Sequence, residues 1–226
     1  MQVNNYIACV NFGDKYSREY VEKLYEMVSN NCTIPFTFLT ITDDERKSPN
    51  RGGTTYVPEK HYEGWWNKLH LFSDDLPVSP GSTILYFDLD VVITGNIDEL
   101  FTYEEDKWCT ILDFIHLRRQ MTPPTMYNSS VMRFKKGELS FVYDEFIKLP
   151  KTKKWNGDQN FIHDMTVDKY PATYYPHEMI RSYKWDIKEN GLGGGRTKVA
   201  VFHGKPNPFE PIVWKNERWV RQALRL

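Results

Sequence analysis

The chain has 226 residues and a formal net charge of −1, from 29 Lys and Arg against 30 Asp and Glu. That length suits one large domain with a single core, and 40% hydrophobic with 26% charged residues excludes a disordered or fibrous chain. The balanced charge excludes a protein whose main partner is a nucleic-acid backbone, because such proteins carry a basic excess.

Met1 to Asn5 form neither a basic n-region nor an apolar h-region, and no segment approaches the ~18 apolar residues of a membrane span. The expectation is a cytoplasmic protein with no transmembrane segment. Cys9, Cys32 and Cys109 are odd in number and far apart, so they make no disulfide framework, and Cys9 and Cys109 lie in apolar runs as small buried hydrophobes.

In chain order, Tyr6 to Asn11 reads as a strand ended by the turn residues Asn11-Phe12-Gly13-Asp14. Ser17 stands where a helix N-cap belongs, and Tyr20, Val21, Leu24, Tyr25 and Val28 follow at helical spacing until Asn30-Asn31. Phe36 to Ile41 is a second strand and Thr54 to Val57 a short third. Trp65, Leu69 and Phe72 share a helical spacing, and Thr83 to Phe87 is a continuous apolar run of the fully buried kind. Strands are expected at Trp108 to Leu112, Ser130 to Phe134 and Val199 to Phe202. Helices are expected at Leu139 to Leu149 and from Asp158 to about Met165. Arg118 to Tyr127, with Pro123-Pro124, and Glu189 to Arg196, with three consecutive glycines, read as loops. Alternating strands and helices predict an α/β fold with a mostly parallel sheet, and no internal domain boundary is visible. Trp214 to Leu226, with Lys215, Arg218, Arg221 and Arg225, reads as a solvated basic surface helix.

Asp88 and Asp90 follow the buried run Thr83 to Phe87. Residues two apart in a strand face the same way, so the pair makes either a hard oxygen site for Mg²⁺ or Mn²⁺ or a set of turn hydrogen bonds. Such a cation bridges carboxylates to a diphosphate, and open α/β sheets bind ligands at strand C-termini. His203-Gly204-Lys205-Pro206 follows the last strand and offers an imidazole, a close-approach glycine and an ammonium. Asp158-Gln159-Asn160 after Gly157 is a polar cluster at a helix start, whose plainer reading is a cap by Asp158. Asn128 and Ser129 either hydrogen-bond a sugar or build the turn into the next strand.

Taken together, Leu85 to Ile93 around Asp88-Leu89-Asp90, Gly95 to Phe101, Tyr127 to Met132, Gly157 to Asn160 and His203 to Pro206 resemble, in order and spacing, the GT-A glycosyltransferases of the family 8 type, the group of glycogenin and bacterial lipopolysaccharide galactosyltransferases. The resemblance implies a single GT-A, Rossmann-like domain over residues 1–226, with a nucleotide-binding half up to about residue 90 and a sugar and acceptor half beyond it. It implies Asp88, Asp90 and His203 as ligands of Mn²⁺ or Mg²⁺, and Lys68 and Lys205 as contacts to the donor diphosphate. Ala8, Asn11 and Tyr16 would line the base pocket. Asp113, Asn128, Ser129, Asp158 and Gln159 would surround the transferred sugar, with Asp158 and Gln159 as the catalytic candidates.

The implied activity is transfer of a hexose from a UDP-sugar, UDP-glucose or UDP-galactose, to a hydroxyl acceptor with retention. The closing block departs from the family's pattern, because His203 and Lys205 are separated by a single residue. Two other classes compete. A sugar-nucleotide nucleotidyltransferase would carry a Gly-rich basic loop after its first strand, of which Asn11-Phe12-Gly13-Asp14-Lys15 is a poor version. A non-catalytic nucleotide-sugar or glycan-binding protein would have no need of Asp88, Asp90, Asp158 and His203 together.

Overall fold

A computed structural model describes residues 4–50, 52–123, 125–149 and 154–226. Pro124 of the expected loop from Arg118 to Tyr127 and Met1 to Val3 of the N-terminal segment lie outside the described residues.

The strands are β1 (Asn5–Asn11), β2 (Thr37–Thr42), β3 (Thr54–Tyr56), β4 (Thr83–Phe87), β5 (Val91–Ile93), β6 (Cys109–Leu112), β7 (Tyr127–Lys135), β8 (Thr173–Tyr174), β9 (Ile180–Ser182) and β10 (Val199–Val201). The helices are α1 (Arg18–Asn31), α2 (Asp98–Thr102), α3 (Phe114–Arg119), α4 (Ser140–Lys148), α5 (Asp158–Thr166), α6 (Lys188–Asn190), α7 (Pro211–Trp214) and α8 (Arg218–Leu224). Seven strands form one sheet in the order β3-β2-β1-β4-β7-β6-β8, and β5-β10-β9 form a second, small sheet. In the large sheet only β7 runs against its neighbours β4 and β6, so the sheet is mostly parallel as predicted. Because β4 pairs with β7, one sheet spans both halves of the chain.

Side-chain alternation along each strand sends residues to two cores. Ile7 and Cys9 of β1 and Leu85 and Phe87 of β4 pack with α1, the small sheet and α8. Ala8 of β1 and Ile84 and Tyr86 of β4 face the other way, onto Leu69, Phe72, Phe134, Val142 and Phe161. Cys9 and Cys109 are buried and unbridged, as expected. The C-terminal segment is a surface helix whose Val220 and Leu224 are buried while Arg218 and Arg221 stay exposed.

Several elements differ from the reading by pattern. Gly64–Phe72 is a run of 3₁₀ turns, and Trp65 is 59% exposed while Leu69 and Phe72 are buried. With three residues per turn, the spacing that would put all three on one α-helical face no longer does so. Ser17 occupies the N-cap position of α1 without a side-chain bond to the helix. Asp158 is the first residue of α5 rather than its cap, the cap position falling to Gly157. The expected loop from Arg118 begins inside α3, and the one from Glu189 begins inside α6.

Arg133 of β7 is buried at the back of this frame. Its guanidinium donates to the carbonyls of Phe101 (3.1 Å), Tyr103 (2.8 Å), Glu104 (2.8 Å) and Lys107 (2.6 Å) and to Cys109 Sγ (2.9 Å). These bonds satisfy the chain end of α2 and tie it to the strand that leads into the cleft described below. Arg133→Ala strands several buried carbonyls at once and is expected to cost about 3 kcal/mol. A thermal denaturation curve checks this, with a fall in Tm of roughly 6–12 °C expected for a chain of this size.

Candidate active site

β1 and β4 lie side by side and parallel, yet β2 continues the sheet on one side and β7 on the other. At such a switch point the loops leaving the strand C-termini part and open a crevice. Here the crevice has a volume of about 690 Å³, within the range of small-molecule sites. Val10 and Phe12 line it from the end of β1, Tyr86, Asp88 and Asp90 from the end of β4 and beyond, and Asn128, Ser129 and Ser130 from the start of β7. Asn156 to Asn160 enter with the N-terminus of α5, and His203 and Gly204 follow β10.

Lys68 stands at the centre of the buried wall. Its Nζ lies 2.9 Å from Asp88 Oδ1 and 3.1 Å from Asp158 Oδ2, and donates to Ser129 Oγ at 2.9 Å. Ser129 Oγ in turn donates to Asp158 Oδ2 at 2.6 Å, and Tyr86 OH donates to Asp88 Oδ1 at 2.5 Å. Burial alone would lower the Lys68 ammonium, but the charges of Asp158 and Asp88 outweigh it and raise the group above its ordinary value. Lys68 therefore stays protonated and locks three elements together: the 3₁₀ run, the β4 turn and α5.

Asp90 is differently placed. Asp88 and Asp90 sit in the turn between β4 and β5, not on one strand face, because the chain passes there from the large sheet into the small one. Asp88 N donates to Ser130 O in β7, whereas Asp90 O accepts from Phe202 N beyond β10. Asp90 Oδ2 accepts from Tyr16 OH at 3.0 Å. Burial, then the charge of Asp88, raises the Asp90 carboxyl to about 6. Burial, then the charges of Asp90 and Asp88, also pushes the Tyr16 hydroxyl far above its usual value, so it remains a donor.

His203 is clamped between Phe114, stacked at 5.4 Å between centroids, and Trp185, edge-on at 5.5 Å. Its Nε2 lies 2.7 Å from Ser182 Oγ. Burial, then the neighbouring Lys184 ammonium, lowers the imidazole below its ordinary value and keeps it neutral, the form that binds metals. Lys184 Nζ donates to His203 O at 2.5 Å, and Gly204, at φ +78°, makes room for it: a Cβ there would stand 3.3 Å from Nζ. The close approach foreseen for Gly204 thus serves a lysine of the chain itself.

Of the residues predicted for the site, Asp88, Asp90, Asp158, Gln159, His203, Lys68, Asn128, Ser129 and Tyr16 line the cleft together. Ala8 and Asn11 are buried in β1 behind that lining, and both amide atoms of Asn11 lack a protein partner. Asp113 caps α3 through Ile115 N and His116 N and reaches the site through Gln159, whose Nε2 donates to its Oδ2 at 3.3 Å. Lys205 is exposed and outside the lining. Lys15, Tyr86 and Trp65 line the cleft without having been singled out by pattern. Lys15 had a local signal, standing beside Tyr16, whereas Lys184 and Ser182 arrive from a distant turn.

Asp88 and Asp90 present carboxylate oxygens in this cleft, the hard ligands a divalent ion takes. Among the described residues no three His, Cys, Asp or Glu side chains already converge as a metal cage. The reason is physical: Lys68 is drawn to Asp88, and His203 is held by Ser182.

The Asp90 carboxylate costs stability wherever it is ionised in the fold. A carboxyl with a raised folded value is neutral in both states below about pH 4, and its cost grows as pH rises toward 6 and persists above. Asp90→Asn removes that cost and keeps an acceptor for Tyr16. In EDTA its Tm is expected to match the parent near pH 4 and to exceed it by several degrees at pH 7, at about 2–4 °C per kcal/mol. Melting curves across that pH range check the sign.

Neither protein-family models nor curated protein sequences match the chain. Solved structures do. The galactosyltransferase LgtC in complex with donor and acceptor sugar analogs shares 13% identity and a TM-score of 0.66, over 98% of this chain and 96% of that one. A mutant of LgtC with an active-site glutamine changed to glutamate gives 14% and 0.66, over 96% and 95%. The glycosyltransferase GlyE of Streptococcus pneumoniae TIGR4 gives 12% and 0.66, over 98% of this chain and 64% of that one. At these identities the likeness is one of fold, and the chain has the GT-A fold that these glycosyltransferases share.

Proposed function

We propose that the chain is a glycosyltransferase that moves a hexose from a nucleotide-sugar, UDP-glucose or UDP-galactose, to a hydroxyl acceptor, with a divalent metal and with retention of configuration. The observation that carries this reading is the pair Asp88 and Asp90 in a switch-point cleft of donor size, one of them held there at a raised value. The extensive likeness to LgtC over nearly its whole length supports it.

Asp88, Asp90 and His203 would hold Mn²⁺ or Mg²⁺, which supplies Lewis-acid stabilisation of the departing diphosphate. Lys15 and Lys68 bring positive charge to the same cleft, so negative charge developing on the leaving group meets pre-placed cations. Phe12 and Tyr16 give the donor's base and ribose an aromatic border. The Asp158 carboxylate is committed through Oδ2 to Lys68 and Ser129, which supports a role in positioning and electrostatics rather than as a free nucleophile. Gln159, tethered to Asp113, is a polar group of the lining that would face the transferred sugar. An internal-return path, in which the leaving phosphate helps to deprotonate the acceptor, suits that arrangement.

The nucleotidyltransferase reading is disfavoured by the segment after β1, where Gly13 makes a turn capped by Asp43 and offers no Gly-rich phosphate cradle. A decayed binding protein is disfavoured by the ion pairs that hold Lys68 to Asp88 and Asp158. Two measurements test the transferase. UDP with Mn²⁺ should raise Tm by several degrees, as a ligand of the native state does, and a flat response across nucleoside diphosphates would sink the donor site. Asp90→Ala should lower metal-dependent UDP release from UDP-sugars at least about 100-fold, the scale of a lost charge stabiliser. Full activity in that variant would remove the metal assignment, and pyrophosphate release from UTP and a sugar phosphate would move the chain to the nucleotidyltransferases.

A further inference from the structure

Lys184 lies in the single helical turn Tyr183–Ile187 that follows β9, a part of the chain that no sequence motif assigned to the site. Its Nζ donates to His203 O at 2.5 Å and stands on the side of Gly204 where a side chain would project. His203, Gly204 and Asp90 all line the cleft. Burial lowers the half-buried ammonium below its ordinary value, opposed by the charge of Asp90. Among the described residues no carboxylate forms an ion pair with Lys184, and His203 O is its one acceptor. An ammonium carries three N–H donors, so two are left to give.

The other lysines near the site are committed or stand in water. Lys68 gives its donors to Asp88, Asp158 and Ser129. Lys15 is exposed, with its ammonium 4.5 Å from the centroid of the Tyr16 ring. Lys205, one residue past Gly204, is exposed and outside the lining. Lys184 alone among these four combines partial burial, spare donors and a place at the cleft wall.

Spare ammonium donors beside a cleft select an anion with several acceptor oxygens, and a phosphate is such an anion. Position selects which phosphate. Val10 and Phe12 enter the cleft from the large sheet, and His203 and Gly204 from the end of the small one, on opposite sides of the β4–β5 turn. A nucleotide whose base lies against Phe12 extends its phosphates toward Gly204, and the last phosphate of a diphosphate reaches furthest.

We infer that Lys184 binds the distal phosphate of the donor, the one that bears the sugar, in the place that the resemblance gave to Lys205. The inference rests on the transferase reading above. The ammonium keeps its proton and holds the charge that grows on this phosphate as the bond from its oxygen to the sugar breaks. UMP lacks that phosphate and does not engage Lys184, so this residue sets the preference of the cleft for a diphosphate over a monophosphate.

Titration calorimetry of UDP and of UMP, each with Mn²⁺, measures this preference in the parent, Lys184→Gln, Lys184→Arg and Lys205→Gln. Lys184→Gln should weaken UDP about ten- to hundredfold, the scale of a hydrogen bond to a charged group, and leave UMP within about twofold of the parent. Lys184→Arg keeps the charge and should restore most of the loss. Retained affinity for UMP also shows that the fold and the nucleoside end of the cleft are intact in the variant. The inference is overturned if Lys184→Gln weakens UDP and UMP alike, which would make its bond to His203 O a structural one only, or if it keeps the parent's affinity for UDP. It is overturned equally if the selective loss appears in Lys205→Gln and not in Lys184→Gln. A parent that binds neither nucleotide marks a separate failure, that of the transferase reading itself, and takes this inference with it before any variant is compared.

Discussion

One ammonium holds the cleft in shape. Lys68 Nζ lies between Asp88 and Asp158, and Ser129 Oγ closes the group against Asp158. The four side chains come from four places: a 3₁₀ run, the turn after β4, the start of β7 and the first turn of α5. A buried carboxylate, Asp158, and a half-buried one, Asp88, brought this close would repel each other, so the fold requires a cation here. The cation is fixed by the buried face of the 3₁₀ run, where Leu69, Leu71 and Phe72 pack under the large sheet. The polar centre of the site is thus set by apolar packing a few residues away, and the charges at its edge inherit their positions from that packing.

Asp90 shows what happens outside this shared cation. It is buried and feels Asp88, and the charge of Lys15, the hydrogen bond from Tyr16 and the charge of Lys68 compensate only part of the cost. A carboxylate held at a raised value in the fold gains from any cation that comes to it. Binding and stability are opposed at this residue, as they commonly are where function requires a charge the fold would rather neutralise.

Much of this was legible in the residues because the strongest signals are local. The runs Tyr6 to Asn11 and Thr83 to Phe87 are apolar on both faces because both faces of the large sheet are covered, and they became β1 and β4. The acids at Asp88 and Asp90, the cluster at Asp158 and the strand-end His203 were visible for the same reason: each follows directly on an element with a clear pattern. What was not legible depends on distant partners. The 3₁₀ geometry of Gly64–Phe72 is a tertiary outcome that exposes Trp65, whereas a pattern of apolar residues alone suggests an α-helix. The separate sheet of β5, β10 and β9 comes from three short strands far apart in the chain, and β9 carried no signal of its own. Lys184 and Ser182 reach His203 only because that sheet forms. Lys205 was implied by the resemblance despite its departing spacing; in the fold it is exposed, while Lys184 Nζ reaches His203 O beside Gly204.

The turn from β4 to β5 also joins the two sheets. Asp88 is anchored by its backbone to β7 in the large sheet, and Asp90 by its backbone to the residue after β10 in the small one. The two carboxylates therefore work like the jaws of a caliper, each fixed to its own arm. Any shift of one sheet against the other changes the gap between the jaws, and anything gripped there resists the shift. The small sheet also carries Ser182, and through it His203 and the aromatic layer at Trp185.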